Sequence, residues 1–167
     1  MIIRPGGNRV AVLGVGALLA AAVFAGCGGS DSGELSKDEF IVQADQICAG
    51  FNETAKADQE EFQALLDQGD FEAAADNFEQ TAAANEEALT QFEGLEAPAE
   101  DQATIDEWTQ IGRDQLVLAE EFSAALRAQD IDTINAIGPE VEGLDADSDA
   151  IADEYGMVDC GSAGNAS

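Results

Sequence analysis

Four segments of the chain place apolar residues three and four positions apart, the spacing of one face of an α-helix. The first runs from about Lys37 to Gln68, the second follows Asp70, the third contains Trp108 and the fourth follows Asp130. The second segment shows the most regular alternation, at Phe71, Ala75, Phe78, Ala82, Asn85, Leu89 and Phe92. Alanine is abundant and β-branched runs are few, which favours helix over strand.

An internal repeat groups these segments into pairs. Residues 64–72 resemble residues 124–132, at an offset of 60, and each copy combines a helix end, a turn and an Asp cap. Two helical hairpins in tandem predict an all-α, up-down-up-down four-helix bundle over residues 36–160. Pro139 falls inside the fourth segment and predicts a kink or a short break there. Residues 161–167 are predicted to be a disordered tail.

The start of the first helix is marked by two local signals. Ser36 followed by Glu39 fits a capping box, in which each side chain binds the backbone N–H of the other residue. Leu35 and Phe40 occupy the two positions of a hydrophobic staple. The bundle is therefore expected to begin at Ser36.

The first 26 residues have the pattern of an export signal. Arg4 and Arg9 form a positive region, and an uncharged run of small and apolar residues follows from Val10 to Ala25. The run ends Phe24-Ala25-Gly26-Cys27, which resembles the lipobox of bacterial lipoproteins. That resemblance implies that Cys27 is lipidated and that residues 27–35 form a flexible tether. An ordinary signal peptide and an uncleaved anchor are the alternatives.

The charge balance excludes several classes of partner. The formal net charge is -29, and loss of Arg4 and Arg9 leaves four basic against 35 acidic residues, or -31. Such a surface repels nucleic acid and anionic lipid headgroups. Solubility, a salt-rich habitat or attraction of cations would each account for the acidity. No His is present, which removes the usual catalytic triads and zinc sites, so neither an enzyme nor a cofactor is predicted.

Two cysteines remain for a disulfide in an exported protein. Cys48 is level with about residue 151 when both are counted from the shared end of the predicted bundle, and Cys160 follows the last helix. A fold-back of about 7 Å would bring them together, and four extended residues span more than that. A disulfide between Cys48 and Cys160 is therefore predicted.

The motifs around these cysteines resemble those of a known group. Ser36-Lys37-x-Glu39-Phe40, Ala44-Asp45-x-Ile47-Cys48 and Tyr155-Gly156-x-x-x-Cys160-Gly161 resemble a group of small actinobacterial lipoproteins. The resemblance covers both ends of the mature domain. It implies a lipobox, a helical body and the same two cysteines, Cys48 and Cys160. No activity is assigned to the group.

Two sets of residues are candidates for a site. Asp145-x-Asp147-x-Asp149 is similar to a calcium loop, but Ala150 and Gly156 stand where the turn glycine and the bidentate Glu are needed. An exposed acidic stripe on a helix is therefore expected instead. Thr54, Asn85 and Gln115 interrupt three apolar stripes, each 15 residues from a hairpin end. They predict a polar layer that fixes bundle register, or an apolar stripe that actually runs one residue away, or the polar end of a small ligand pocket.

These features favour a lipid-anchored protein on the outer face of the cell membrane. Its predicted role is binding or structural, with the membrane as a partner through Cys27 and an envelope protein as a second candidate partner. The alternative is a lipoprotein that binds a small molecule or a cation for transport. A large apolar cavity would favour the alternative, and an exposed apolar patch would favour a protein partner.

Overall fold

A computed structural model describes residues 34–165, and most of them are helical. The helices, in chain order, are α1 (Lys37–Gln68), α2 (Phe71–Glu93), α3 (Gln102–Ala128), α4 (Ile131–Tyr155) and the short α5 (Ser162–Asn165). No strand occurs between residues 34 and 165, which confirms the all-α class for this segment. The predicted signal segment, residues 1–26, lies outside the described residues, as do Cys27 and all of the tether except its last two residues.

The helix ends follow the predicted capping chemistry. Ser36 is the N-cap of α1, and the reciprocal bonds of the capping box to Glu39 are both present. The carboxylate of Asp70 accepts a hydrogen bond from the Ala73 N–H at 3.1 Å, and Asp130 accepts one from Thr133 at the same distance. These bonds satisfy backbone donors that the first turn of a helix leaves without partners. The turns at 69–70 and 129–130 therefore fix where α2 and α4 begin.

Two features of the last third of the chain differ from the predicted layout. Of the two alternatives at Pro139, a kink or a short break, the break does not occur, since α4 continues through this residue. Residues 162–165, predicted to belong to a disordered tail, form α5. The carboxylate of Asp153 holds α5 in place because it accepts hydrogen bonds from the backbone N–H and the hydroxyl of Ser162, at 3.2 and 2.7 Å. This contact joins residues nine positions apart across the end of α4, so no helical spacing predicts it.

The helices pack in sequence order, α1 against α2, α2 against α3 and α3 against α4. No Cα atom of α1 lies within 8 Å of a Cα atom of α4. Helices that pack closely have axes only about 8–10 Å apart, so the backbones of α1 and α4 stay further apart than that, and the two helices meet through side chains at one end, where Phe40 contacts Tyr155. The gap between them is called the α1–α4 seam below.

One end of the bundle, termed the closed end, is densely packed. It comprises Phe40, Ala44, Phe92, Ala97, Ile105, Ala152, Tyr155, Met157 and Cys160, all of which are buried. The ring of Phe40 meets the rings of Phe92 and Tyr155 edge to face, at centroid distances of 5.4 and 5.9 Å. The Tyr155 hydroxyl donates to the Asp101 carboxylate at 2.8 Å. Aromatic pairs in this geometry add to the free energy gained by burial.

The predicted disulfide joins Cys48 to Cys160. The segment after α4, which ends at Cys160, returns along α1 as expected, and two hydrogen bonds hold it there. The Asp159 N–H donates to the Asp45 carboxylate at 2.9 Å, and the Asn52 amide donates to the Asp159 carbonyl at 2.8 Å. The segment also leads into α5, which contacts both α1 and α4. The α1–α4 seam is thus bridged at the closed end by this segment.

Candidate functional site

A cavity of about 440 Å³ lies between the four long helices, next to the closed end. All four helices and the segment after α4 contribute to its wall, and the disulfide forms part of it. Because the backbones of α1 and α4 stay apart, no close helix–helix interface closes the cavity along the α1–α4 seam. Gly138 and Asp145, both on α4, are exposed residues of the wall.

Aromatic rings form much of the apolar wall. Phe78 on α2 and Phe122 on α3 face each other with their centroids 4.8 Å apart. Trp108 lies against Phe92 at 4.4 Å and marks the border with the closed end. Phe78, Phe122 and Trp108 are only partly buried, which means that the bundle does not fill the space in front of them.

Small residues explain why the space is empty. Ala82 and Ala88 on α2, Ala119 on α3 and Gly138 on α4 all belong to the wall. A Cβ atom added at Gly138 would meet no atom within 4 Å. Three helices that present small side chains to the same space leave a void there unless a neighbouring helix moves closer. The α1–α4 seam shows that this closure does not occur.

Polar groups lie at one edge of the cavity. The Gln115 amide on α3 donates to the Asp145 carboxylate on α4 at 2.7 Å. Asp149 follows one turn later on α4 and also belongs to the wall. Lost hydration raises the pKa of Asp145, and the neighbouring carboxylates of Asp149 and Glu142 raise it further, against the opposing effect of Gln115. This edge of the cavity is therefore lined by carboxylates.

Two of the three predicted site residues meet at this cavity. Asn85 and Gln115 belong to its wall and are partly buried. The prediction of a shared internal layer is wrong for Thr54, which is exposed and donates to the Gly50 carbonyl within its own helix, at 3.3 Å. The inward stripe of α1 passes through Ala55 instead, one residue later.

Asn52, Asp145 and Asp149 were not predicted as site residues. Asn52 supplies the polar side chain of α1 that Thr54 was expected to supply. Its spacing of four from Cys48 gives a signal, because a residue one turn from a disulfide anchor faces the same neighbour. Asp145 and Asp149 were assigned to an exposed stripe, and they do lie on a helix. Their position beside a cavity depends on α4 standing away from α1, which no local pattern reveals.

Two buried polar atoms in the described segment have no hydrogen-bond partner: Trp108 Nε1 and Asn77 Oδ1. An unpaired buried polar group costs about 1–3 kcal/mol of stability. The Trp108 indole packs against Phe92 through its ring, so its placement follows aromatic packing and not hydrogen bonding. Trp108 is also the single tryptophan of the chain, so its fluorescence reports on the cavity wall.

Residues 34–165 contain no group of three or more acidic or Cys side chains arranged to hold a metal ion. Over the same residues, no helix is both long and apolar enough to span a bilayer. Searches among protein families, characterised proteins and solved structures found no match to this chain.

Proposed function

We propose that this protein is a lipid-anchored, extracytoplasmic four-helix bundle that binds an apolar small molecule in its cavity. In this proposal the helices run up-down-up-down, Cys27 carries the anchor, and the role is binding without catalysis. The single observation that supports it most is the cavity of about 440 Å³ with its aromatic wall. Ligand sites in proteins are typically apolar clefts of about 300–1,000 Å³ with a few polar groups.

The size of the cavity suggests the size of the ligand. An apolar protein cavity of about 150 Å³ holds one benzene molecule. In proportion, a cavity of about 440 Å³ suits a molecule of roughly 18 non-hydrogen atoms. A single lipid-like chain or a compound of two or three rings is in this range.

The distribution of exposed apolar residues favours a small ligand over a protein partner. The large apolar side chains most exposed in the described segment are Val42, Val117, Ile131 and Val158, each more than half exposed. They belong to α1, α3, the start of α4 and the segment after α4. A protein-binding surface normally needs a contiguous apolar patch, whereas the apolar surface of this bundle is concentrated in the cavity.

Location outside the cytoplasm is supported by the disulfide and by the sequence of the first 27 residues. Disulfides persist in oxidising compartments and are rare in the cytosol. Cys48 and Cys160 are linked, and the export and lipobox patterns precede the bundle. The anchor would hold the cavity close to a membrane surface, where apolar molecules are concentrated.

Native mass spectrometry of protein extracted from its own membrane tests this proposal. The expected spectrum contains the acylated chain with its disulfide and a second species heavier by one small molecule. The Gly138→Leu variant, in which a side chain grows into open space beside the cavity, should lose the heavier species. Gly143→Leu is the matched control, since Gly143 also has open space around it but lies outside the cavity.

Three results would count against the proposal or part of it. Wild-type protein that shows only the acylated mass would contradict binding of an endogenous ligand. An added mass that survives in Gly138→Leu would place the bound molecule elsewhere on the protein. A chain without acylation would contradict the anchor and leave the cavity proposal to be judged on the ligand mass.

A further inference from the structure

Every charged residue in the wall of the cavity is acidic. Asp145 and Asp149 lie on α4, and Asp159 lies in the segment after it. No Lys or Arg contributes to the wall. An anionic headgroup would have no partner there and would be repelled, since the whole chain carries a formal charge of -29.

Asp145 is the carboxylate best placed to meet a bound molecule. It lies at the cavity edge, within hydrogen-bond distance of Gln115 and one helical turn before Asp149. A cation placed beside the Asp145 carboxylate would bind more strongly than in water, because the neighbouring wall is apolar.

The apolar wall and the acidic edge are close enough for one molecule to use both. Gln115 on α3 ties Asp145 to the edge at 2.7 Å, and Phe122 lies two turns further along the same helix. Phe122 in turn faces Phe78 across the wall at 4.8 Å. Two helical turns span about 11 Å, which matches the length of a chain of about ten carbons once it bends.

We propose that the ligand is a cationic amphiphile, with an apolar body against Phe78 and Phe122 and an ammonium group at Asp145. This inference rests on the proposed function and adds the chemical class of the ligand. It follows from charge complementarity, because the cavity combines an apolar wall with carboxylates and with no basic side chain.

Three probes of equal chain length separate charge from apolar contact: decylamine, 1-decanol and sodium decanoate. Binding is followed through the fluorescence of Trp108 in the full-length protein at physiological salt, which screens attraction to distant surface charges. Decylamine is expected to bind about tenfold more tightly than decanol, since hydrogen bonds to charged groups are the stronger ones. Decanoate is expected to bind more weakly than decanol.

Matched variants test the place of binding. Asp145→Asn should remove most of the preference for decylamine and leave decanol binding unchanged. Asp147→Asn removes the same charge from an exposed position of α4 outside the wall, and it should leave both affinities unchanged. Gly138→Leu should weaken all three probes, whereas Gly143→Leu should not. Circular dichroism confirms that each variant is folded.

The outcomes distinguish this inference from the proposed function. If decanol binds and Gly138→Leu prevents it, but decylamine shows no preference, the cavity function stands and the cationic ligand is excluded. If decylamine is preferred equally by wild type and Asp145→Asn, the attraction comes from the general surface charge and the inference is also excluded. If none of the probes binds, the proposed function and the inference both fail.

Discussion

Phenylalanine side chains lie both in the closed end and in the cavity wall, but they differ in how far they are buried. Phe40 and Phe92 at the closed end are 0% and 1% exposed. Phe51, Phe78 and Phe122 in the cavity wall remain partly exposed, although they continue the same helical stripes. Helical periodicity therefore decides which way a side chain faces, and other parts of the chain decide whether it is covered.

Segments outside the four long helices provide that cover. Ala97 in the α2–α3 linker and Met157 and Cys160 after α4 are all buried in the closed end. The Leu35 N–H also donates to the Glu96 carbonyl at 3.0 Å, which draws the start of the bundle onto the linker. Away from the closed end, the rest of the cavity wall is formed by the helices alone, and the backbones of α1 and α4 stay apart. The bundle is therefore most densely packed where these irregular segments cover the ends of the helices.

The largest expected effect comes from the bond that fastens the closed end. The double variant Cys48→Ala/Cys160→Ala removes a link between residues 112 positions apart. On the chain-entropy account this lowers the free energy of unfolding by about 5 kcal/mol. Urea unfolding of the variant and of wild type measures the difference. A change below about 1 kcal/mol would mean that the segment after α4 is held mainly by its other contacts.

Phenylalanine truncation compares the two regions directly. Phe40→Ala should cost about 3–5 kcal/mol, the usual loss for a fully buried ring, because Phe40 is buried in the closed end and lies outside the cavity wall. Phe78→Ala should cost less than half of that, because its ring already borders open space. Chemical denaturation of both variants tests the contrast. Equal losses would show that the cavity wall is packed as tightly as the closed end.

Substitutions of two glycines on α4 are expected to give smaller changes in stability, and they compare a position in the cavity wall with one outside it. Gly138→Ala and Gly143→Ala should each stabilise the protein by about 1 kcal/mol, because Ala has the higher helix propensity. Neither new Cβ would meet an atom within 4 Å. Thermal unfolding of the pair provides the measurement. If only Gly143→Ala is stabilising, α4 packs against a neighbour at Gly138 and the cavity is smaller than described.

The smallest expected effect is the change in stability with pH that results from the ionisation of Asp145. Its pKa is raised above the ordinary 3.8 by lost hydration first and by Asp149 second. The folded state therefore holds the proton more tightly than the unfolded state, and stability falls as pH rises from 3.8 through the raised pKa. Asp145→Asn should be more stable than wild type above that window and equal to it below. Melting curves across pH, with Asp147→Asn as control, test the sign. Identical curves for the two variants would contradict it.

The fold could largely be predicted from the chain, because its helix boundaries depend on local chemistry. Ser36, Asp70 and Asp130 cap the helices that they were expected to cap. The disulfide followed from counting residues along the helices. The α5 helix was missed because it depends on the contact of Ser162 with Asp153, nine residues away.

The site was only partly predictable, for a physical reason. Asn85 and Gln115 were found because a polar residue in an apolar stripe is visible in sequence. The predicted polar layer included Thr54, whereas the inward face of α1 passes through Ala55. An error of one residue on a helix turns the side chain by about 100°. The void also depends on the distance between α1 and α4, which no single apolar stripe determines.

A crystal structure of the protein under xenon pressure would test the central claim most directly, since xenon occupies apolar cavities without needing a specific contact. Xenon is expected inside the cavity, in front of Phe78 and Phe122, in wild type and in Gly143→Leu, and to be absent in Gly138→Leu. A wild-type structure in which α1 packs directly on α4 and no xenon binds there would contradict the account.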